Sequence, residues 1–205
     1  MTAGFGLITL GDDYVRAADH LFESHIQFRH QGPVEYMFAH GFELLVKGGL
    51  LLSGRSQDEI RDYQHNLLQL YGAARSQDPV ETCIKGAERH VKHKWKTLLR
   101  RLRDDRRAVF QESGISDPNA LQHFGVHSNE TIGKELPGFR AQIVWLDKRH
   151  RHAGGLFRYY ESHVGDREEI EASGSNYDVV LQSMSWGCRF LSQKLIVQTR
   201  RQTVT

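Results

Sequence analysis

Between Val80 and Val109 the apolar residues Val80, Ile84, Ala87, Val91, Trp95, Leu98, Leu102 and Val109 follow one another at intervals of three, four or seven. That period puts them all on one side of an α-helix, which the pattern carries from Pro79 to about Glu112. A chain committed to so long a helix, with strand-like alternation nearly absent elsewhere, belongs to the all-α class.

The other patterned segments agree. "DDYVRAADHLFESHIQF" places Tyr14, Ala17 or Ala18, Leu21, Phe22, His25 and Phe28 on one broad face, predicting an amphipathic first helix that Gly32-Pro33 ends. Pro33 fits the first turn of the next helix, where its missing N–H is not needed, and that helix runs to about Ser53 before Gly54 stops it. So short a connection makes the two helices antiparallel. "SQDE" at 56–59 has the form of a capping box and starts a third helix, with Ile60, Tyr63, Leu67, Leu70, Tyr71 and Ala74 on its face.

After Glu112, residues 113–136 are broken by glycines, prolines and short polar clusters and read as a surface insertion. "FRAQIVWLDKRHR" resumes helix through Phe139, Ile143 and Leu146, and a last helix begins near Asn176 with the stripe Val180, Met184, Cys188, Leu191 and Leu195. The expectation is one domain over residues 1–205, an all-α bundle of four to six helices with an irregular insertion.

Several function classes drop out. An apolar fraction of 39% with 25% charged residues fits a soluble globular chain. No apolar run approaches the roughly 20 residues needed to cross a bilayer, and the N-terminal segment lacks the basic region of a signal peptide. A cytoplasmic protein without membrane contact is expected. Cys83 and Cys188 are too few for a disulfide framework or a thiolate zinc site and fall on apolar stripes as buried thiols. No Gly-rich phosphate loop or nucleophile motif is present, which excludes a P-loop ATPase and an α/β-hydrolase and predicts no cofactor.

Three constellations remain. Tyr36, His40, Glu43 and Lys47 are spaced by four, three and four residues, so they line one edge of an otherwise apolar helix, with Glu43 ahead of Lys47 in the order that favours an ion pair. With His65 on the third helix they form a candidate polar seam, either a dimer interface or a cleft, and Gly48 and Gly49 suggest that another helix approaches closely there. Lys85, Arg89, Lys92, Lys96, Arg100, Arg103 and Arg107 place seven cations on one helical face, about 33 Å long at 1.5 Å per residue, matching a nucleic-acid backbone. His90 and His93 lie one turn apart, but a metal needs further converging ligands and the sequence names none, so no metal site is expected.

The order of these signals resembles the HEPN-like helical domains of prokaryotes. The resemblance rests on "GDDYVRAADHLFES", on "FELLVKGGLLLSG" with its Glu-Leu-x-x-Lys core, and on "IRDYQHNLLQLY", where Asn66 stands in place of the family's usual acid. It covers residues 11–75 well and 140–200 loosely, the latter through "LFRYYES", with Tyr160 where the family has proline. It implies a helical bundle, frequently a homodimer, in a family that includes metal-independent ribonucleases of toxin and phage-defence systems as well as non-catalytic proteins. Arg158 and His163 satisfy the family's Arg-x(4–6)-His spacing, though they fall ahead of its usual place at the start of the last helix. There histidine moves a proton at the ribose 2′-OH and arginine stabilises charge on the phosphate. Two functions follow as expectations: an RNA-directed protein of a bacterial stress, defence or toxin-type system, with RNA and an antitoxin as partners, or a non-catalytic dimeric module that binds another protein.

Overall fold

The computed structural model describes residues 3–24, 31–117, 138–151 and 177–202. They form seven helices: α1 (Ala3–Glu23), α2 (Gln31–Leu52), α3 (Gln57–Asp62), α4 (Leu67–Ala74), α5 (Val80–Glu112), α6 (Phe139–Arg151) and α7 (Tyr177–Gln202), with no strand among the described residues. The protein is an all-α helical bundle. Among the described residues no helix is long and apolar enough to cross a membrane.

Helix α2 runs through the centre because it is apolar on almost every side. Phe38, Ala39, Phe42, Leu45, Val46 and Leu50 are completely buried, and a helix with so little polar surface has to be enclosed. Every other helix touches α2. Its partner α1 is antiparallel and unusually close: Gly4 faces Gly48, and Gly11 faces Gly41. A Cβ added to Gly48 would lie 2.7 Å from the Gly4 carbonyl oxygen and 2.9 Å from the Ile8 nitrogen, so backbone meets backbone there. At the neighbouring Gly49 side chains fill the space instead, with Val80 3.0 Å and Leu195 3.2 Å from an added Cβ. The close approach expected at Gly48 and Gly49 is therefore present, on two sides of α2.

Two sequence readings need correction. Helix α1 begins at Ala3, not near Asp12, and its buried face is Gly4, Ile8, Gly11, Val15 and Ala18, while Tyr14, Leu21 and Phe22 are only partly covered. Glycine is a poor helix former and contributes nothing to an apolar stripe, so a face built on glycines escapes a periodicity argument. His25 and Phe28 lie outside the described residues.

The predicted third helix is two. The capping box forms as expected, with Ser56 Oγ accepting from the Glu59 N–H and the Glu59 carboxylate accepting from the Ser56 N–H at 2.8 Å. The helix then stops at Asp62. Gln64 takes a left-handed φ of 46°, and Asn66 restarts the chain by accepting the Gln69 N–H on its side-chain oxygen at 2.9 Å. Ile60, Leu67, Leu70, Tyr71 and Ala74 stay buried across the break.

Helices α5 and α7 close the other side. Trp95 donates its indole N–H to Ser183 Oγ at 2.8 Å and packs against Trp186 with ring centroids 5.1 Å apart. The whole predicted stripe of α7, Val180 to Leu195, is buried. On α5 full burial ends at Trp95; Leu98 is partly covered, and Leu102 and Val109 are exposed. Cys83 and Cys188 are buried thiols, and that burial pushes both above the ordinary thiol pKa. Of the segment 113–136 only residues 113–117 are described, and they are not helical.

Candidate functional site

The polar edge of α2 collects around Glu43. Its helix holds the carboxylate in the core, 2% exposed, and a bare charge there would be very costly. Four side chains answer it. Lys47, one turn along α2, donates to Oε1 at 2.6 Å and also to the Gln64 carbonyl at 2.6 Å. His150 Nε2 lies 2.7 Å from Oε2, His65 Nδ1 3.1 Å from the same oxygen, and His40 Nδ1 3.6 Å from it. Burial by itself would push the Glu43 pKa up. The hydrogen bonds from His150 and Lys47, the His40 ring beside the same oxygen and the Lys47 charge outweigh burial and hold the carboxyl well below the usual range. Glu43 is a buried anion.

Local folding explains how each group arrives. His65 sits in the break between α3 and α4; the left-handed turn at Gln64 places it beside α2 and also offers Lys47 a carbonyl. Its side chain remains 54% exposed, so it links the buried anion to solvent. His150 comes from α6, which Asp147 docks onto the start of α4 by accepting the Leu68 N–H at 3.1 Å. His40 is framed by two rings, Tyr36 stacked at 5.5 Å and Tyr14 edge-on at 4.7 Å. Its Nδ1 is buried and has no partner within hydrogen-bond distance.

The structure thus brings Tyr36, His40, Glu43, Lys47 and His65 together, and adds His150, Asp147 and Tyr14. In the sequence His150 has no role beyond its place in the helical segment "FRAQIVWLDKRHR". A signal existed, since Ile143, Leu146 and His150 continue one buried helical stripe. The direction of that stripe was not in the sequence. His40, Glu43 and His150 also bring one nitrogen or oxygen each within 4.8 Å of one another.

A second candidate is the basic face of α5. Lys85 is paired with Glu81, and Arg103 with Asp104 at 2.6 Å, so these two are locally neutralised. Glu88 is occupied by Arg75 at 2.7 Å and by a short hydrogen bond from Tyr71. Arg89, Lys92, Lys96, Arg100 and Arg107 are exposed and have no acid within ion-pair distance among the described residues. Arg158 and His163 lie outside the described residues. The chain matches no known family model, no curated protein and no solved structure.

Proposed function

We propose that this chain is an RNA-directed, HEPN-like helical protein that engages RNA through the basic face of α5. The observation that carries this reading is the row Arg89, Lys92, Lys96, Arg100 and Arg107, five exposed cations on the side of α5 opposite its buried residues. Acids next to them along the helix are absorbed by other cations, so the row keeps its field and reaches solvent unscreened by partners. Occupying five phosphates of a single strand would make log K fall with log salt at a slope of about −3.5. Fluorescence anisotropy of labelled RNA across a salt series tests it. Binding that barely changes with salt overturns it.

The same proposal extends to cleavage in a stress, defence or toxin-type setting, with Arg158 and His163 as the catalytic pair. Incubation with structured RNA in EDTA is then expected to leave 2′,3′-cyclic phosphate ends, and Arg158→Ala or His163→Ala to abolish them. Intact RNA in that assay removes the catalytic part and leaves the binding part standing. A second reading, a dimeric module that binds another protein, draws on Leu102 and Val109, which are 46% and 61% exposed on α5. Analytical ultracentrifugation of the wild type and of a Leu102→Glu/Val109→Glu variant separates it. An unchanged monomer in both counts against the dimer.

A further inference from the structure

We infer that His40, Glu43 and His150 form a binding site for a divalent transition-metal ion of the zinc type. Three observations support it independently of the RNA reading. The donor set is the first. Two imidazoles and one carboxylate are the ligand types of three-ligand zinc sites, and the same borderline donors suit cobalt and nickel. His40 and Glu43 sit one turn apart on α2, so a single helix supplies two of them. The third comes from α6, 107 residues along the chain.

The second observation is convergence in a closed place. Glu43 and His150 are almost fully buried, with side-chain exposures of 3% and 4%. His150 Nε2 lies 2.7 Å and His40 Nδ1 3.6 Å from one carboxylate oxygen, and all three donor atoms fall within 4.8 Å. Ligands of a tetrahedral zinc stand about 3.3 Å apart, so opening the 2.7 Å His150–Glu43 contact by about 0.6 Å and closing the widest donor pair by no more than about 1.5 Å completes the set. On binding, His150 Nε2 directs a lone pair at the ion instead of a hydrogen at Oε2, and His40 Nδ1 turns its lone pair to the same point. The displaced hydrogen moves to the other ring nitrogen or leaves as a proton.

The third observation is the unanswered donor. His40 Nδ1 is buried and without a hydrogen-bond partner, an arrangement that costs free energy unless something comes to it. A metal ion answers it directly. Lys47 occupies Oε1 and is itself held by the Gln64 carbonyl, which leaves Oε2 to face the histidines, the part that outer partners of a metal ligand play. Its charge opposes a cation, and the Glu43 carboxylate offsets that charge. His65, 3.1 Å from Oε2 and half exposed, lies outside the three converging donors, on the side from which a water would complete the shell. Such an ion would clamp α6 to α2.

The full-length chain, stripped with EDTA and dialysed, is titrated with Zn2+ by calorimetry and with Co2+ by visible absorption. One ion per chain and ligand-field bands of tetrahedral or five-coordinate Co2+ are expected. His40→Ala and His150→Ala should each weaken binding by more than about 100-fold, beyond what loss of an outer partner costs. A His90→Ala/His93→Ala variant should bind as the wild type does. Should either ligand variant fail to fold, histidine 15N NMR of the wild type decides: Zn2+ must shift the ring nitrogens of His40 and His150. The absence of that shift, or binding that survives His150→Ala and disappears with His90 and His93, overturns the site.

Discussion

Glu43 Oε2 lies 2.7 Å from His150 Nε2, so a carboxylate on the central helix is answered by an imidazole 107 residues away. The contact joins α2 to α6 at a point where neither side chain is solvated. Removing one member of such a pair leaves the other buried without compensation, which typically costs about 3–5 kcal/mol. Glu43→Ala is therefore expected to destabilise the protein by that order in urea unfolding. His65→Ala, which removes a side chain that is itself half exposed and leaves His150 and Lys47 on the carboxylate, should cost about 1 kcal/mol.

Glu43 also predicts an acid limb. Its folded pKa is held below the unfolded one, so its stabilisation is complete above the ordinary glutamate value of about 4.3 and is lost as pH falls below it. Unfolding free energy should drop between about pH 5 and pH 3 in the wild type. In Glu43→Gln that drop should be smaller, and an unchanged acid limb would show that the carboxyl is not held ionised.

Asp19 runs the other way. It is buried on α1, with Arg189 3.4 Å away on a half-exposed side chain, and burial raises its pKa despite that neighbour. A raised carboxyl pKa means that the folded state holds the proton more tightly, so this group favours folding less as pH rises from about 3.9 through the folded value. Asp19→Asn should raise the melting temperature at neutral pH, and the gain should shrink towards pH 4. A loss of stability at neutral pH would show that the Arg189 pair outweighs burial.

The glycine contacts make a paired prediction. A Cβ at Gly48 meets backbone atoms of α1 that cannot swing aside, so Gly48→Ala should cost about 1–3 kcal/mol. Gly6, on the same α1, has nothing within 4 Å of its added Cβ. Gly6→Ala should stabilise by about 0.5–1 kcal/mol, because alanine is the better helix former. Thermal melts of the two variants, moving in opposite directions, check both.

On the basic face, each of Arg89, Lys96 and Arg100 changed to Ala should flatten the RNA salt slope by about 0.7 without altering the melting temperature. Lys85→Ala, already paired with Glu81, should change it least. Equal effects at all four positions would remove the distinction between paired and unpaired cations.

Much of this bundle is written in local periodicity. The extents of α5 and α6, the start of α7 and the polar edge Tyr36-His40-Glu43-Lys47 follow from which residues share a helical face, and the capping box from Ser56 and Glu59 standing three residues apart. The break at Gln64 was less legible. One apolar face runs across it, and only the competition of the Asn66 side chain for backbone N–H groups reveals the restart.

Spacing alone therefore sets the all-α class and the character of most helical faces, but neither the start of α1 nor the break that divides α3 from α4. Which faces meet was decided by the tertiary structure. Glycines of α1 and α2 are silent in a hydrophobic pattern and become contacts only when two backbones approach, and His150 becomes a partner of Glu43 only once α6 is docked through Asp147. Pairings of this kind depend on distances across the fold, and residues 107 apart carry no local trace of them. The burial that makes Glu43 a site and not a surface charge belongs to the packed bundle as a whole.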